Sequence, residues 1–154
     1  PGLLLHGVPS YPGSSPDGFY PVARLESEIV QLADYPAGTP FGYSSAYRVA
    51  RPTRAAVLPI GYADGLNRGL GNNCEVLIRG KRVPIIGKIS MDLAIIDVTD
   101  VDDVKLGDVA TLIGRDGNDE ISPWEMARRI DTIPWEVFCW IGPRVSRVYV
   151  HEEL

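Results

Sequence analysis

Glu75-Val76-Leu77-Ile78-Arg79-Gly80-Lys81-Arg82-Val83-Pro84-Ile85-Ile86 places two short apolar, β-branched runs on either side of Gly80-Lys81. Runs of this length are too short for a stable helix and suit strands, and the glycine between them reads as a tight hairpin. The same grammar continues outward. Apolar runs at Arg24–Leu32, Ala55–Ile60, Ile89–Thr99, Val109–Ile113 and Val145–Val150 are separated by turn formers. Thirteen prolines and sixteen glycines punctuate 154 residues. Many short strands between turn signals predict an all-β barrel or sandwich.

One segment departs from that pattern. Ser122-Pro123-Trp124-Glu125 has a capping serine, proline at the first helical position and glutamate three residues after the cap. The serine oxygen accepts from an orphan amide, and the glutamate is expected to return to the amide of the cap itself. Met126 and Ile130 then share a face, which predicts a helix over 123–131. Trp135–Ile141 reads either as a second helix opened by Pro134, with Phe138 and Ile141 inward, or as a strand. Residues 8–21 are rich in Pro, Ser and Gly and mark a candidate domain boundary. Pro1-Gly2-Leu3-Leu4-Leu5-His6-Gly7 reads as the tail of a buried strand running into a turn. With no initiator methionine before it, this start suggests a piece cut from a longer chain.

Composition narrows the function. Hydrophobic residues make up 45% and charged residues 23%, ordinary for a globular domain. The net charge is −5, with fifteen scattered basic residues, so no stripe for a phosphate backbone is present and nucleic-acid binding is disfavoured. No apolar run approaches a membrane span of roughly 20 residues, and no basic start suggests a signal peptide. Cys74 and Cys139 are far apart in sequence, which predicts reduced thiols in a cytoplasmic protein and no metal spacing. His6 and His151 stand at opposite ends of the chain, so no zinc cluster is expected.

Three blocks offer chemistry. Gly42-Tyr43-Ser44-Ser45-Ala46-Tyr47 presents a phenol beside a turn. A phenol in water loses its proton near pH 10, so a tyrosine acting as a base needs cationic neighbours, and none is adjacent in sequence. Local sequence alone reads Tyr43 as a packed aromatic. Gly61-Tyr62-Ala63-Asp64-Gly65 ends a strand, with Asp64 placed to bond the turn's own amides and Gly65 suited to positive φ. Arg68 follows within reach of that loop. In Gly87-Lys88-Ile89-Ser90-Met91-Asp92, Met91 is a candidate gap-filler. Asp92 is an acid inside a strand-like run, where it needs a partner or a task. Of the lysines, Lys88 is the one contender for a Schiff base.

Together, Gly42-Tyr43, Ile60-Gly61-Tyr62-Ala63-Asp64-Gly65, Val83-Pro84-Ile85-Ile86-Gly87, Ser90-Met91-Asp92, Leu106-Gly107-Asp108 and Arg144-Val145 follow an order and spacing that resemble the C-terminal domain of bacterial alanine racemases. The resemblance covers the chain from about residue 21 to residue 150. It implies a mainly β domain, a Greek-key-like β-barrel with one or two short helices at about 122–141. Residues 1–12 would be the tail of an N-terminal (β/α)8 barrel including its last strand, 13–21 a linker and 22–154 the β domain.

The resemblance also assigns roles. It implies interconversion of L- and D-alanine, supplying D-alanine for peptidoglycan, by two bases acting on a pyridoxal 5'-phosphate aldimine. Tyr43 corresponds to the catalytic tyrosine on one face, and a barrel lysine serves the other. Met91 is similar to the methionine whose amide helps bind the substrate carboxylate, next to Asp92. Tyr62 and Arg68 are similar to residues of the substrate entryway. Gly2 and Leu3 correspond to amides that bind the cofactor phosphate. Trp135 stands where the family carries a phosphate-binding tyrosine, with core packing as the other reading. Lys88 replaces an arginine, and Ser44-Ser45 replace Gly-Ala. The family is a head-to-tail homodimer in which each tyrosine serves the partner subunit's barrel. This chain alone is therefore expected to be inactive, to bind no cofactor and to expose Tyr43 on its surface. Rival readings are a racemase of another amino acid such as serine, a decarboxylase of similar architecture, whose cysteine block neither Cys74 nor Cys139 matches, and a non-enzymatic β-barrel interaction module.

Overall fold

The hairpin at Glu75–Ile86 forms around Arg79-Gly80. Both residues are left-handed, at φ 52° and 74°, and Ile78 pairs with Lys81 across them. Two successive positive φ values match the right-handed twist of the flanking strands. The Asp116 carboxylate accepts from the Gly80 amide at 2.8 Å and ties the turn to a neighbouring strand. The computed structural model describes residues 2–9, 11 and 19–150. Most of the expected linker at 13–21 and His151 lie outside those residues.

Ten strands run in chain order among the described residues. They are β1 Leu25–Glu28, β2 Gln31–Tyr35, β3 Pro40–Phe41, β4 Tyr47–Arg48, β5 Thr53–Leu58, β6 Glu75–Ile78, β7 Lys81–Pro84, β8 Ala94–Asp97, β9 Val109–Asp116 and β10 Asp119–Ile121. Helices α1 Pro123–Arg129 and α2 Pro134–Trp140 follow. One sheet has the order β1-β9-β6-β7 with β10 also on β9, a second has β2-β5-β8, and β3-β4 form a small ladder. All pairings are antiparallel. The expected mainly β domain with short helices near 122–141 is what the chain forms.

The two larger sheets share a core. Leu58, Leu66, Leu77, Ile78, Ile85, Ile89, Ile96, Leu112 and Ile121 are fully buried within one cluster. Each such side chain contributes roughly 1.5–3 kcal/mol of hydrophobic free energy on burial. An isolated bridge, Ile85 to Ile96, links the end of β7 to β8. On the other side the chain itself crosses between sheets. The Ile29 amide donates to Asp108 O at 2.9 Å, and the Val30 amide donates to Val57 O at 3.0 Å. The single run expected at Arg24–Leu32 is therefore two strands, split where the hydrogen-bonding partner changes sheet.

Other expectations need correction. Within Ile89–Thr99 only Ala94–Asp97 is strand. Ser90 and Leu93 close a turn before it, with Ser90 N to Leu93 O at 2.9 Å and Leu93 N to Ser90 Oγ at 2.9 Å. Val145–Val150 forms no strand. It opens on a turn from Val145 N to Gly142 O, with Val145 half-buried against the core, and Val148, Tyr149 and Val150 finish exposed. Gly2–His6 is a 3-10 helix rather than the end of a strand. Leu4 O and Leu3 O are taken locally, by Gly7 N and Val8 N, and His6 O accepts from Val22 N at 3.3 Å.

The helix signals hold with one change. Ser122 Oγ accepts from Glu125 N at 3.1 Å, and Pro123 opens α1. The Glu125 carboxylate does not return to the cap. It takes two hydrogen bonds from Arg82, at 2.6 and 3.2 Å, because a charged guanidinium is a stronger donor than a lone amide. Of Trp135–Ile141, all but Ile141 resolves as helix, with Ile141 the extended C-cap, and Val137 is its inward residue while Phe138 and Ile141 are half-buried. No helix among the described residues is long and apolar enough to cross a membrane.

Candidate active site

Three loops carry the candidate residues, and backbone contact holds them together. The first, after β3, is a 3-10 turn over Tyr43–Ser45. Gly42 enters it at φ 72°, and Ser44 and Ser45 sit at φ 60° and 51°. A Cβ on Gly42 would lie 2.5 Å from Lys88 N, so only glycine lets this turn rest on the Gly87-Lys88 backbone. Tyr43 projects from the turn with 67% exposure. Among the described residues its hydroxyl has no hydrogen-bond partner.

The second loop follows β5. Asp64 is buried, and its carboxylate accepts from Gly61 N at 2.9 Å, the turn-closing role that sequence suggests. Gly65 is left-handed at φ 115°, with its Cα pressed on the Trp140-Ile141 backbone. Tyr62 and Arg68 flank an open hollow of about 360 Å3, completed by Gly65, Asn67 and Trp140. A phenol, an indole and a guanidinium around one hollow suit a small molecule carrying a carboxylate.

The third loop is Gly87–Leu93. Tyr62 N donates to Ser90 O and Ala63 N to Met91 O, both at 3.0 Å. Gly61 lies so close that a Cβ would meet Met91 O at 2.3 Å. The carbonyls of this loop thus face the second loop. The Met91 and Asp92 amides donate to no group among the described residues, and the Met91 residue is 51% exposed. Two adjacent free amides form a donor pair for an anion. The Asp92 carboxylate does have a partner: Arg144 Nη2 at 2.6 Å. Arg144 Nε also reaches Asp64 at 3.1 Å, so one guanidinium joins the second and third loops. The Asp92 hydrogen bond, then the nearby Asp64 charge, raise the Arg144 guanidinium above its ordinary value.

The structure therefore brings Tyr43, Tyr62, Arg68, Met91 and Asp92 onto three touching loops. Gly2, Leu3 and Trp135 stand elsewhere. Trp135 packs edge-on to Trp124, with ring centroids 6.4 Å apart, and Trp124 Nε1 donates to Pro9 O at 2.8 Å. His6 stacks at 5.6 Å from Phe138. The N-terminal segment thus lies on the two helices. Among the described residues, no hydrogen bond, ion pair or ring contact joins Gly2, Leu3 or Trp135 to the five loop residues. No group of three or more His, Cys, Asp or Glu able to hold a metal ion occurs among the described residues. Lys88 is exposed on the third loop.

Sequence reasoning missed what Arg144 and Asn72 do. Arg144 stood in a recognised block without a role, and its two acids are far from it in the chain. Asn72 accepts from Gly87 N and donates to Ala46 O at 3.4 Å. Its one signal was Gly71-Asn72-Asn73, a run of turn formers.

The model of the family described as "Alanine racemase, C-terminal domain" matches residues 22–149. Alanine racemase 2 of Caldanaerobacter subterraneus subsp. tengcongensis is 42% identical over 154 residues, covering 98% of this chain and 39% of that protein. The crystal structure of alanine racemase from Bartonella henselae with covalently bound pyridoxal phosphate aligns with a TM-score of 0.89 and 36% identity, over 97% of this chain and 41% of that one. That of Bacillus anthracis alanine racemase with bound L-Ala-P gives 0.90 and 33%, over 97% and 39%. The chain spans about two fifths of the length of these relatives.

Proposed function

The chain belongs to the alanine racemase C-terminal domain family, and from that premise we propose that it supplies one of the two proton-transferring groups of an enzyme interconverting L- and D-alanine. The observation that carries this reading is the pairing of an exposed phenol at Tyr43 with amides at Met91 and Asp92, all without hydrogen-bond partners among the described residues, on loops whose backbones are locked together. Racemisation needs proton donors and acceptors on opposite faces of the α-carbon. Tyr43 moves the proton at its hydroxyl on one face, and a lysine of the (β/α)8 barrel serves the other. The Met91 amide donates to the substrate carboxylate beside Asp92, and Tyr62 and Arg68 line the approach.

The reading includes pyridoxal 5'-phosphate, which when bound delocalises the electron pair left on the α-carbon. The residues of this chain fit its phosphate. Gly2 and Leu3 open a 3-10 turn, where amides lack intrahelical partners, and the space around the Gly2 Cα is open. The Trp135 indole N–H has no partner among the described residues and offers one donor, held by its packing on Trp124. In this reading residues 1–12 end the barrel and 13–21 link it to the β domain at 22–154. That no hydrogen bond, ion pair or ring contact among the described residues joins the Tyr43 loops to Gly2, Leu3 or Trp135 supports a composite site, in which Tyr43 serves the barrel of a second subunit in a head-to-tail homodimer. The enzyme is cytoplasmic, and its D-alanine supplies peptidoglycan.

The test is Tyr43→Phe in the full-length polypeptide. Wild-type protein is expected to racemise alanine and to incorporate solvent deuterium at the α-carbon of both enantiomers. The variant is expected to lose about a thousandfold in kcat, in the range for a general acid–base group, with its melting temperature unchanged. The 154-residue chain alone is expected to be inactive until the barrel domain is added. A variant within threefold of wild type removes Tyr43 from the chemistry, and racemisation by the isolated chain contradicts the composite site.

A further inference from the structure

We propose that Asn72 is a positioning residue for Tyr43, clamping its turn through a stack of three backbone segments. The stack runs Gly71-Asn72, Gly87-Lys88, Gly42-Tyr43. A Cβ on Gly71 would meet Gly87 O at 2.7 Å, and one on Gly42 would meet Lys88 N at 2.5 Å. On Gly87 it would lie 3.1 Å from both Gly42 N and the Phe41 carbonyl carbon. Three glycines thus let three strands of backbone touch without side chains between them. Contact of this kind fixes distance and leaves sliding unopposed, because van der Waals attraction has little directional preference. A directional lock is needed, and Asn72 supplies it at both ends.

Asn72 Oδ1 accepts from Gly87 N, in the middle segment. Asn72 Nδ2 donates to Ala46 O at 3.4 Å, at the far end of the Tyr43 turn. Asn72 sits at φ 59°, a left-handed conformation that asparagine tolerates better than other side-chain-bearing residues. The turn needs such support. Its entry residue has no side-chain cap, and Tyr43, Ser44 and Ser45 are all exposed. Among the described residues, Asn72 makes the only side-chain hydrogen bond to residues 42–46. Left-handed φ at Ser44 and Ser45 costs free energy that only surrounding contacts can hold in place. Without the clamp the turn relaxes and the phenol leaves its place at the α-carbon.

The inference rests on the proposed racemase reading for its kinetic consequence and on geometry for the clamp. Two variants of the full-length polypeptide test it. Asn72→Gly keeps the left-handed backbone and removes both hydrogen bonds. Asn72→Asp keeps the acceptor for Gly87 N and loses the donor to Ala46 O. Amide hydrogen exchange at Ser45, whose amide donates to Gly42 O at 3.2 Å, is expected to quicken about tenfold in both, and that at Gly87 in Asn72→Gly. The kcat for alanine is expected to fall about tenfold or more in Asn72→Gly, and less in Asn72→Asp, with KM within twofold. The α-deuterium isotope effect is expected to rise in one direction of racemisation only, because one of the two proton transfers has slowed. A general loss of folding lowers both directions alike and leaves the isotope effects as they were. Unchanged exchange at Ser45 in both variants, with Gly87 unchanged in Asn72→Gly, overturns the clamp. Isotope effects unchanged from wild type in both directions overturn its role toward Tyr43. If wild-type protein does not racemise alanine, the functional reading fails, and the exchange measurement still decides the clamp.

Discussion

Replacing Gly61 with alanine tests whether the Tyr62 and Met91 loops are held by direct backbone contact. The new Cβ would lie 2.3 Å from Met91 O and 2.4 Å from both Met91 C and Ser90 O. Ordinary carbon–oxygen contacts are about 3.3 Å or longer, so the loops must part by about 1 Å. The amide bonds from Tyr62 to Ser90 and from Ala63 to Met91, each 3.0 Å, then stretch beyond hydrogen-bonding range. Losing a hydrogen bond costs about 1 kcal/mol, more where the abandoned group stays buried. Alanine returns about 0.4–1 kcal/mol by restricting the unfolded chain. The net cost is about 2 kcal/mol, which lowers the melting temperature of a domain this size by about 4–8 °C. Gly107→Ala is the control. It sits at φ 83° with no atom within 4 Å of where the added methyl would stand, so it carries backbone strain without collision. Its expected cost is about 1 kcal/mol, or about 2–4 °C. The assay is thermal unfolding by circular dichroism, with amide exchange at Tyr62 and Ala63. The reasoning fails if Gly61→Ala melts no lower than Gly107→Ala and both amides keep their protection.

Arg82→Met removes the bidentate hold on Asp119, at 2.7 and 3.0 Å, together with the bonds to Glu125 and Glu120 O. It is expected to cost about 2–3 kcal/mol near neutral pH, read by urea unfolding. The Arg82 hydrogen bond holds the Asp119 carboxyl below its ordinary 3.8. Its contribution is therefore present above about pH 3.8 and fades as pH falls through the lower folded value, so the gap between variant and parent narrows in acid. Burial pushes the Cys74 thiol up to about 11, and Cys139 is exposed. A thiol reagent at about pH 8 is expected to label Cys139 alone in the folded chain and both cysteines in denaturant. Because the folded value exceeds the 9.0 of a free thiol, the Cys74 contribution is fully present below about pH 9 and is lost as pH rises toward 11.

Local chemistry was legible in the sequence, and long-range pairing was not. The Glu75–Ile86 hairpin and the Ser122 cap rest on residues within a few positions of one another, and both formed. The break at Ile29-Val30 depends on Asp108 and Val57, which no local pattern reveals. Val145–Val150 reads as a strand by composition, yet no strand among the described residues pairs with it. The same division runs through the site. Asp64 as a turn-closing acid follows from Asp-Gly chemistry. The partner of Asp92 is Arg144, and the lock on the Tyr43 turn is Asn72. Nothing in the short blocks points to either. Tyr43 stood out through a resemblance in the order and spacing of several blocks, and its immediate neighbours carried no such signal.

The state of the polar groups sets the proposed site residues apart from the structural ones. Among the described residues, no buried side-chain nitrogen or oxygen lacks a hydrogen-bond partner. Asp64 closes its own turn and meets Arg144, and Arg82 spreads five hydrogen bonds over three acidic residues. Against that background, the Tyr43 hydroxyl, the Met91 and Asp92 amides and the Trp135 indole remain open. Their backbones are nonetheless fixed, by glycine contacts at Gly42 and Gly61 and by helix α2 at Trp135. A group that must act on a molecule held by another part of an enzyme has to meet both conditions. Its hydrogen-bonding capacity stays open, and its position is set before the partner arrives, so that docking costs little additional order. A loop residue that is merely solvated meets the first condition and has no need of the second.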